Sequence, residues 1–255
     1  MSLTRADIEI WVINLPNDAA RRKRMDDQLK PMGLTYKLFE AIDGSAQAEE
    51  LRPNVDQEAY RKNMGTPILP GKMGVYSSHI SVWERFLSGQ SKAALIFEDD
   101  VIFHADFNQA LDCALDATSH WDLIRFNCIR AKLPVKQRQV GRYTLNAYIG
   151  PFTGNAAYLI KRETANKIMQ NIWPQTRALD HELNRFFVHN YRQIGLEPWA
   201  SHPDDGGVST ITGANFDKVK KPKPHQRLYY YGVKLTNYFR RAGWLARNGM
   251  LFPKR

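Results

Sequence analysis

Ala94-Leu95-Ile96-Phe97-Glu98-Asp99-Asp100-Val101-Ile102-Phe103 (ALIFEDDVIF) places three consecutive acids between two apolar runs. Ala93 to Phe97 is a continuous apolar segment of strand length, and apolar character resumes at once at Val101. Three carboxylates are therefore expected at the carboxyl end of a core strand, where open α/β sheets bind their ligands. Alternation along the strand turns Glu98 and Asp100 to one side and Asp99 to the other. Two converging carboxylates repel unless a cation lies near them. A hard divalent ion, Mg²⁺ or Mn²⁺, bridging to a diphosphate suits such a pair. The acids could instead cap a helix or form a solvated turn, although neither explains so well why Val101 to Phe103 follows directly.

Outward from this strand, the chain alternates strands and helices. Ile8 to Leu15 (IEIWVINL) is a buried strand, and Asn17-Asp18 can cap a helix from Ala19 through Leu29. Thr35 to Ile42 is a second strand, closed by the turn signal Asp43-Gly44. Ala46 to Asn63 is helical in tone. Gly65, Pro67, Pro70, Gly71 and Gly74 read as a loop before a helix from Ser77 to Leu87, with Trp83 in its core face. Beyond the acids follow a helix (107 to 117), a strand (121 to 127), a basic loop (132 to 142), a strand (156 to 160), helices (162 to 172 and 180 to 189) and a last strand (191 to 199). This order predicts a mostly parallel α/β sheet flanked by helices.

Composition narrows the function. The chain has 255 residues and a net charge of +10. From Lys218 to Arg255 there are six Lys, five Arg and no acid, so the remainder is close to neutral. A basic tail on a neutral body favours anchoring over nucleic-acid reading, and no nucleic acid is expected as a partner. Leu228, Tyr231, Leu235, Tyr238, Ala242 and Leu245 recur at helical spacing in that tail, flanked by Arg227, Lys234 and Arg241. Such a helix either packs on its own domain or lies on an anionic membrane surface. No apolar run approaches the roughly 20 residues needed to span a bilayer. Two cysteines and a polar start at Met1 to Glu9 lead us to expect a cytoplasmic protein. There is no P-loop, no Gly-x-Gly-x-x-Gly after the first strand and no Gly-x-Ser-x-Gly elbow. A nucleotide would have to be held otherwise. Asn14 and Leu15, ending the first strand, with Arg21 and Arg22 beyond, form an anion-facing corner or simply a solvated basic helix start.

Several segments together resemble one family. Val12 to Pro16, Ala20-Arg21-Arg22 and Phe39 to Gly44 are similar to the opening of glycosyltransferase family 25, which includes lipooligosaccharide galactosyltransferases and collagen β-galactosyltransferases. Gly74 to His79 with Trp83, Leu95 to Asp100, Gly154 to Ile160, Asp180 and Ser209-Thr210-Ile211 resemble later family segments in the same order. The resemblance implies a GT-A-like domain over residues 1–215 and leaves 216–255 as a basic amphipathic extension. It implies inverting transfer of a sugar, galactose most often in the family, from a UDP-sugar with Mn²⁺ or Mg²⁺. Glu98-x-Asp100 becomes a variant of the Asp-x-Asp metal motif. The implied nucleotide-binding set is Asn14, Leu15, Arg21, Arg22, Asp43, Gly44, Ser78, His79, Glu98 and Asp99.

Asp180 is implied as the carboxylate base that activates the acceptor, with Asp204 and Asp205 as rivals and a helix-capping role as the plain alternative. His202 is the candidate third metal ligand beside Glu98 and Asp100, or else polar surface. His79 orders the loop-helix corner or touches the nucleotide. The acceptor implied is lipooligosaccharide or another cell-surface glycan, met at the inner face of a bacterial cytoplasmic membrane. A nucleotide-sugar phosphohydrolase would use the same acids without an acceptor. A non-enzymatic membrane or nucleic-acid adaptor would need only the tail.

Overall fold

The computed structural model describes residues 2–204 and 223–252. Asp205 and Ser209-Thr210-Ile211 lie outside the described residues. The strands are β1 (Ile8–Asn14), β2 (Lys37–Glu40), β3 (Ala93–Glu98), β4 (Val101–Phe103), β5 (Leu123–Arg125), β6 (Arg130–Ala131), β7 (Pro134–Val140), β8 (Tyr143–Tyr148), β9 (Phe152–Thr153), β10 (Ala157–Lys161), β11 (Gln193–Glu197) and β12 (Ser201–Pro203). The helices are α1 (Ala19–Leu29), α2 (Ala48–Leu51), α3 (Gln57–Met64), α4 (Pro70–Ser88), α5 (Phe107–Asp116), α6 (Arg162–Met169), α7 (Leu179–Leu183), α8 (Phe186–His189) and α9 (Leu228–Arg247).

The main sheet runs β2-β1-β3-β10-β5-β11-β8-β7. The pairs β1·β2, β1·β3 and β5·β11 are parallel, whereas β3·β10, β5·β10, β8·β11 and β7·β8 are antiparallel. The sheet is therefore mixed, which corrects the mostly parallel expectation. The reversed strands are β10, which runs antiparallel to both its neighbours β3 and β5, and β8, which runs antiparallel to β11 and forms a hairpin with β7. β7 falls in the stretch that reads as a basic loop, because the centre of Pro134–Val140 is polar and none of its residues is fully buried. That is the character of an edge strand, where charge discourages pairing with another chain. The turn is Gly141-Arg142, with Gly141 at φ +56.

β1 and β3 are nearly continuous apolar runs because helices cover both faces. Trp83 and Phe86 of α4, Leu111 of α5 and Ile168 of α6 are wholly buried around Leu95 and Phe97. Each such side chain contributes about 1.5–3 kcal/mol of transfer free energy. Asp18 caps α1 by accepting from Arg21 N at 3.0 Å.

α4 begins at Pro70, seven residues before the expected Ser77. Proline at the first helical position lacks only a donor that would go unused, and its φ is already helical. Gly74 then lies inside the helix because its backbone meets that of Gly44. A Cβ on Gly44 would sit 2.0 Å from Pro70 O, and one on Gly74 would sit 2.5 Å from Ile42 O.

The second half of α9 packs on this body. Trp244 stacks edge-on against Phe186 at 5.1 Å, and Arg241 Nε donates to Ile149 O at 2.6 Å. The stripe drawn from sequence is only partly the buried face: Leu245 is buried, whereas Leu228, Tyr231 and Leu235 are exposed. No helix among the described residues is long and apolar enough to cross a membrane.

Candidate active site

A cleft of about 340 Å³ opens at the carboxyl ends of β1 and β3. β1 connects to β2 on one side while β3 returns on the other, so the cleft sits at a switch point of the sheet. Its walls include Leu15, Arg21, Asp43, Gly44, Lys72, Ser78, His79, Glu98, Asp99, Asp100, Asn127, Asn155, Asp180 and Asp204. Arg22 is exposed on α1 and His202 is exposed on β12, and neither lines the cleft. Asn14 stands behind the wall, where its Nδ2 donates to Asp99 Oδ2 at 2.7 Å.

Strand geometry ends at Glu98, and Asp99-Asp100 turn before β4, so all three acids face the cleft. Asp99 is fully engaged: besides Asn14, its Oδ1 accepts from Arg21 Nη1 at 3.0 Å. Burial pushes the Asp99 carboxyl up, against the pull of Asn14 and Arg21. Asp100 differs. Its Oδ1 is buried and has no hydrogen-bond partner. Burial, then the charges of Glu98 and Asp99, raise its carboxyl to about 7.

An unpartnered carboxylate oxygen beside a second carboxylate is a donor set that fits a hard divalent cation. Magnesium commonly takes one or two protein carboxylates and completes its shell with water and phosphate oxygens. The three-ligand set expected from sequence is not assembled. His202 Nδ1 is 2.8 Å from His104 Nε2, on the side of β12 away from the cleft, and no group of three or more metal-type ligands occurs among the described residues. Alternation along β12 explains this, since Pro203 lines the cleft and its neighbour must face the other way.

Glu98 is held by His79. Nε2 of the imidazole is 3.2 Å from Glu98 Oε1, and Nδ1 is 2.9 Å from the Tyr158 hydroxyl, which also accepts from Trp83 Nε1 at 2.9 Å. Ser78 lines the cleft, but its hydroxyl is committed: it accepts from Ile42 N at 2.9 Å and donates to Gly74 O at 2.7 Å. It pins the loop after β2 to α4. Asp43 Oδ1 is likewise used in its own turn, accepting from Ser45 N and Ala46 N.

Asp180 also lines the cleft, from the first turn of α7; the residue capping that helix is Ala178. Burial works to raise the Asp180 carboxyl, yet His181, Lys72 and Arg125 hold it below the usual carboxylate range. Burial keeps the His181 ring from protonating at neutral pH. The lasting support is then Lys72, Arg125 and the His181 N–H, which donates to Asp180 Oδ1 at 2.8 Å. Arg125 is wholly buried and donates to Phe152 O at 2.7 Å and Gly154 O at 3.0 Å, and Phe152 O also accepts from Asn184 Nδ2, which ties this segment to the end of α7. Glu182 anchors α7 from behind through Arg177, Arg185 and His189. Asp204, a rival base, is ion-paired with Arg24.

Sequence reasoning missed Lys72, Asn127 and Arg125, and it took Asn155 and Tyr158 only as part of the Gly154 to Ile160 segment, with no role of their own. Asn127 carried a usable signal, two residues past the end of β5 and at the same sheet edge as the acids.

The family model for Glycosyltransferase family 25 (LPS biosynthesis protein) matches residues 7–182. A glycosyltransferase 25 family member of Aedes aegypti is 25% identical over 243 residues, covering 82% of this chain and 39% of that protein. Procollagen galactosyltransferase 1-A of Xenopus laevis is 26% identical over 203 residues, covering 76% and 33%. Procollagen galactosyltransferase 2 of Homo sapiens is 32% identical over 137 residues, covering 51% and 22%. The chain thus spans about two fifths or less of the length of these relatives.

Proposed function

The chain belongs to glycosyltransferase family 25, and on that premise we propose that its cleft binds a UDP-sugar and transfers the sugar, with inversion, to a glycan hydroxyl. One observation carries the reading: the buried, unpartnered Asp100 oxygen beside Glu98 at the switch point of the sheet. These two carboxylates would hold Mn²⁺ or Mg²⁺, which offsets the negative charge of the departing diphosphate. Arg21 and Lys72 on the same walls favour an anionic ligand.

Asp180 is the base of this reaction. Lys72 and Arg125 keep it ionised at neutral pH, so it accepts the proton of the acceptor hydroxyl as that oxygen bonds to the anomeric carbon. The bond from the anomeric carbon to the diphosphate breaks, and its electron pair leaves with UDP. Galactose is the sugar proposed, because two of the relatives are procollagen galactosyltransferases. A lipid-linked or other cell-surface glycan is the acceptor proposed, in keeping with the family's description.

The basic extension would bring the enzyme to the inner face of a bacterial cytoplasmic membrane. Exposed Leu228, Leu235 and Phe239 would enter the headgroup layer, and each nearby Lys or Arg would contribute about 1 kcal/mol. The test is a thermal-shift series of UDP-sugars with and without Mn²⁺, followed by UDP-galactose turnover with and without acceptor glycan. A metal-dependent rise in melting temperature and acceptor-dependent release of UDP are expected. No shift with any UDP-sugar, or free sugar released at full rate without acceptor, would overturn the reading.

A further inference from the structure

Two more buried polar atoms on the cleft wall have no partner: Asn127 Nδ2 and Asn155 Oδ1. Asn127 is wholly inaccessible to solvent and Asn155 is 7% exposed. The Asn127 amide is oriented, because its Oδ1 accepts from Ala157 N at 3.0 Å and so turns Nδ2 away from that bond. The two amides do not bond to each other. An amide buried without its hydrogen bond costs about 1–3 kcal/mol, and here one orphan donor and one orphan acceptor share a wall.

An occupant that reaches both must accept from one and donate to the other. A phosphate oxygen only accepts, so it would satisfy Asn127 and meet the Asn155 carbonyl oxygen unfavourably. A metal ion would suit Asn155 and oppose the Asn127 amide hydrogens. A hydroxyl does both. The pair is also next to the acidic turn: Glu98 N donates to Ala156 O at 2.8 Å, and Phe126 N donates to Ala157 O at 3.0 Å, so the Asn127 and Asn155 segments flank the strand end that carries Glu98.

We propose that Asn127 and Asn155 recognise one hydroxyl of the transferred sugar and so select which donor is used. This rests on reading the cleft as a UDP-sugar site. Proximity to the diphosphate seat favours a hydroxyl of the donor sugar over one of the acceptor.

Calorimetry with the full chain tests it, using UDP, UDP-galactose and UDP-galactose analogues lacking single hydroxyls, with acceptor analogues lacking single hydroxyls as a kinetic arm. Asn127→Asp keeps the oxygen that accepts from Ala157 N and removes the donor; Asn155→Ala removes the acceptor. Asn155→Ala is expected to bind UDP like wild type, whereas Asn127→Asp also weakens UDP binding because its carboxylate adds negative charge beside the diphosphate. They should bind UDP-galactose at least about tenfold more weakly, the scale of one lost hydrogen bond, and should no longer distinguish the parent from one deoxy donor that wild type rejects. Variants that discriminate among deoxy donors as wild type does, as they would if the pair merely held a water, overturn the proposal. So does a loss confined to deoxy acceptors. If wild type fails to bind UDP, the reading of the cleft falls and the pair with it. UDP binding reports that each variant is folded, and Asn155→Ala decides the matter alone if Asn127→Asp does not fold.

Discussion

His79 Nε2 lies 3.2 Å from Glu98 Oε1, which makes a buried histidine the support of a cleft carboxylate. Its tautomer follows from the chain behind it. Burial keeps the Tyr158 hydroxyl protonated, and Trp83 Nε1 donates into that oxygen, so the single hydroxyl proton goes to His79 Nδ1. The imidazole proton is then on Nε2, directed at Glu98.

Tyr158→Phe removes this wire without touching the cleft. It should cost about 1 kcal/mol of stability and weaken Mn²⁺-dependent UDP binding by roughly tenfold, as Glu98 loses its fixed orientation. Calorimetry and KM for UDP-galactose measure this. An unchanged KM would mean that Glu98 needs no such support.

Asp100→Asn separates stability from binding. The wild-type carboxyl is raised to about 7, so its ionisation costs stability as pH rises from the ordinary carboxylate range, and that cost is complete above 7. At pH 8 without metal, the variant should melt about 2–4 °C higher, the shift of a 1 kcal/mol gain in a chain of this size. The Mn²⁺-dependent shift with UDP should vanish. A variant that keeps this shift would remove Asp100 from the metal seat.

Asp180→Asn keeps the side chain's shape and removes the base. Turnover should fall by about 10²–10⁴, with UDP binding within twofold of wild type. A similar loss of UDP binding would assign Asp180 to the donor instead.

The charge cluster behind Asp180 predicts acid sensitivity. Burial works to raise the Glu182 carboxyl, but His189, Arg185 and Arg177 hold it down at about 2 against an ordinary 4.5. The stability it contributes is complete above pH 4.5 and is lost as pH falls toward 2, about 3 kcal/mol in all. Glu182→Gln should therefore be strongly destabilised at pH 7, leaving Arg177 and Arg185 buried without a counter-charge. Denaturation at pH 7 and pH 3 should show the gap between variant and wild type narrowing in acid.

Local sequence signals located the elements that depend on short-range pattern. Ile8 to Asn14 and Ala93 to Glu98 form strands where apolar runs predict them, and α1 spans the expected Ala19 to Leu29. Signals failed where a partner elsewhere decides the outcome. Gly71 and Gly74 read as loop residues, yet both lie within α4, and Gly74 is there because Gly44 needs a bare backbone to lie against. Pro134 to Val140 reads as loop because an edge strand carries no buried face. His202 has the residue type of a metal ligand, but the pairing of β12 with β4 directs it to His104.

The sequence by itself determined the strand that ends at Glu98, with two further acids directly after it, and the family, because these rest on residue order and hydrophobic period. Only the tertiary structure decided which carboxylates are free. Asp99 is spent on Asn14 and Arg21, Glu98 is braced by His79, and Asp100 alone of the three presents an unpartnered buried oxygen. It also brought Asn127 and Asn155 to the same wall. The physical reason is that availability of a polar group is set by its neighbours in space, and those neighbours arrive from strands and helices far apart along the chain.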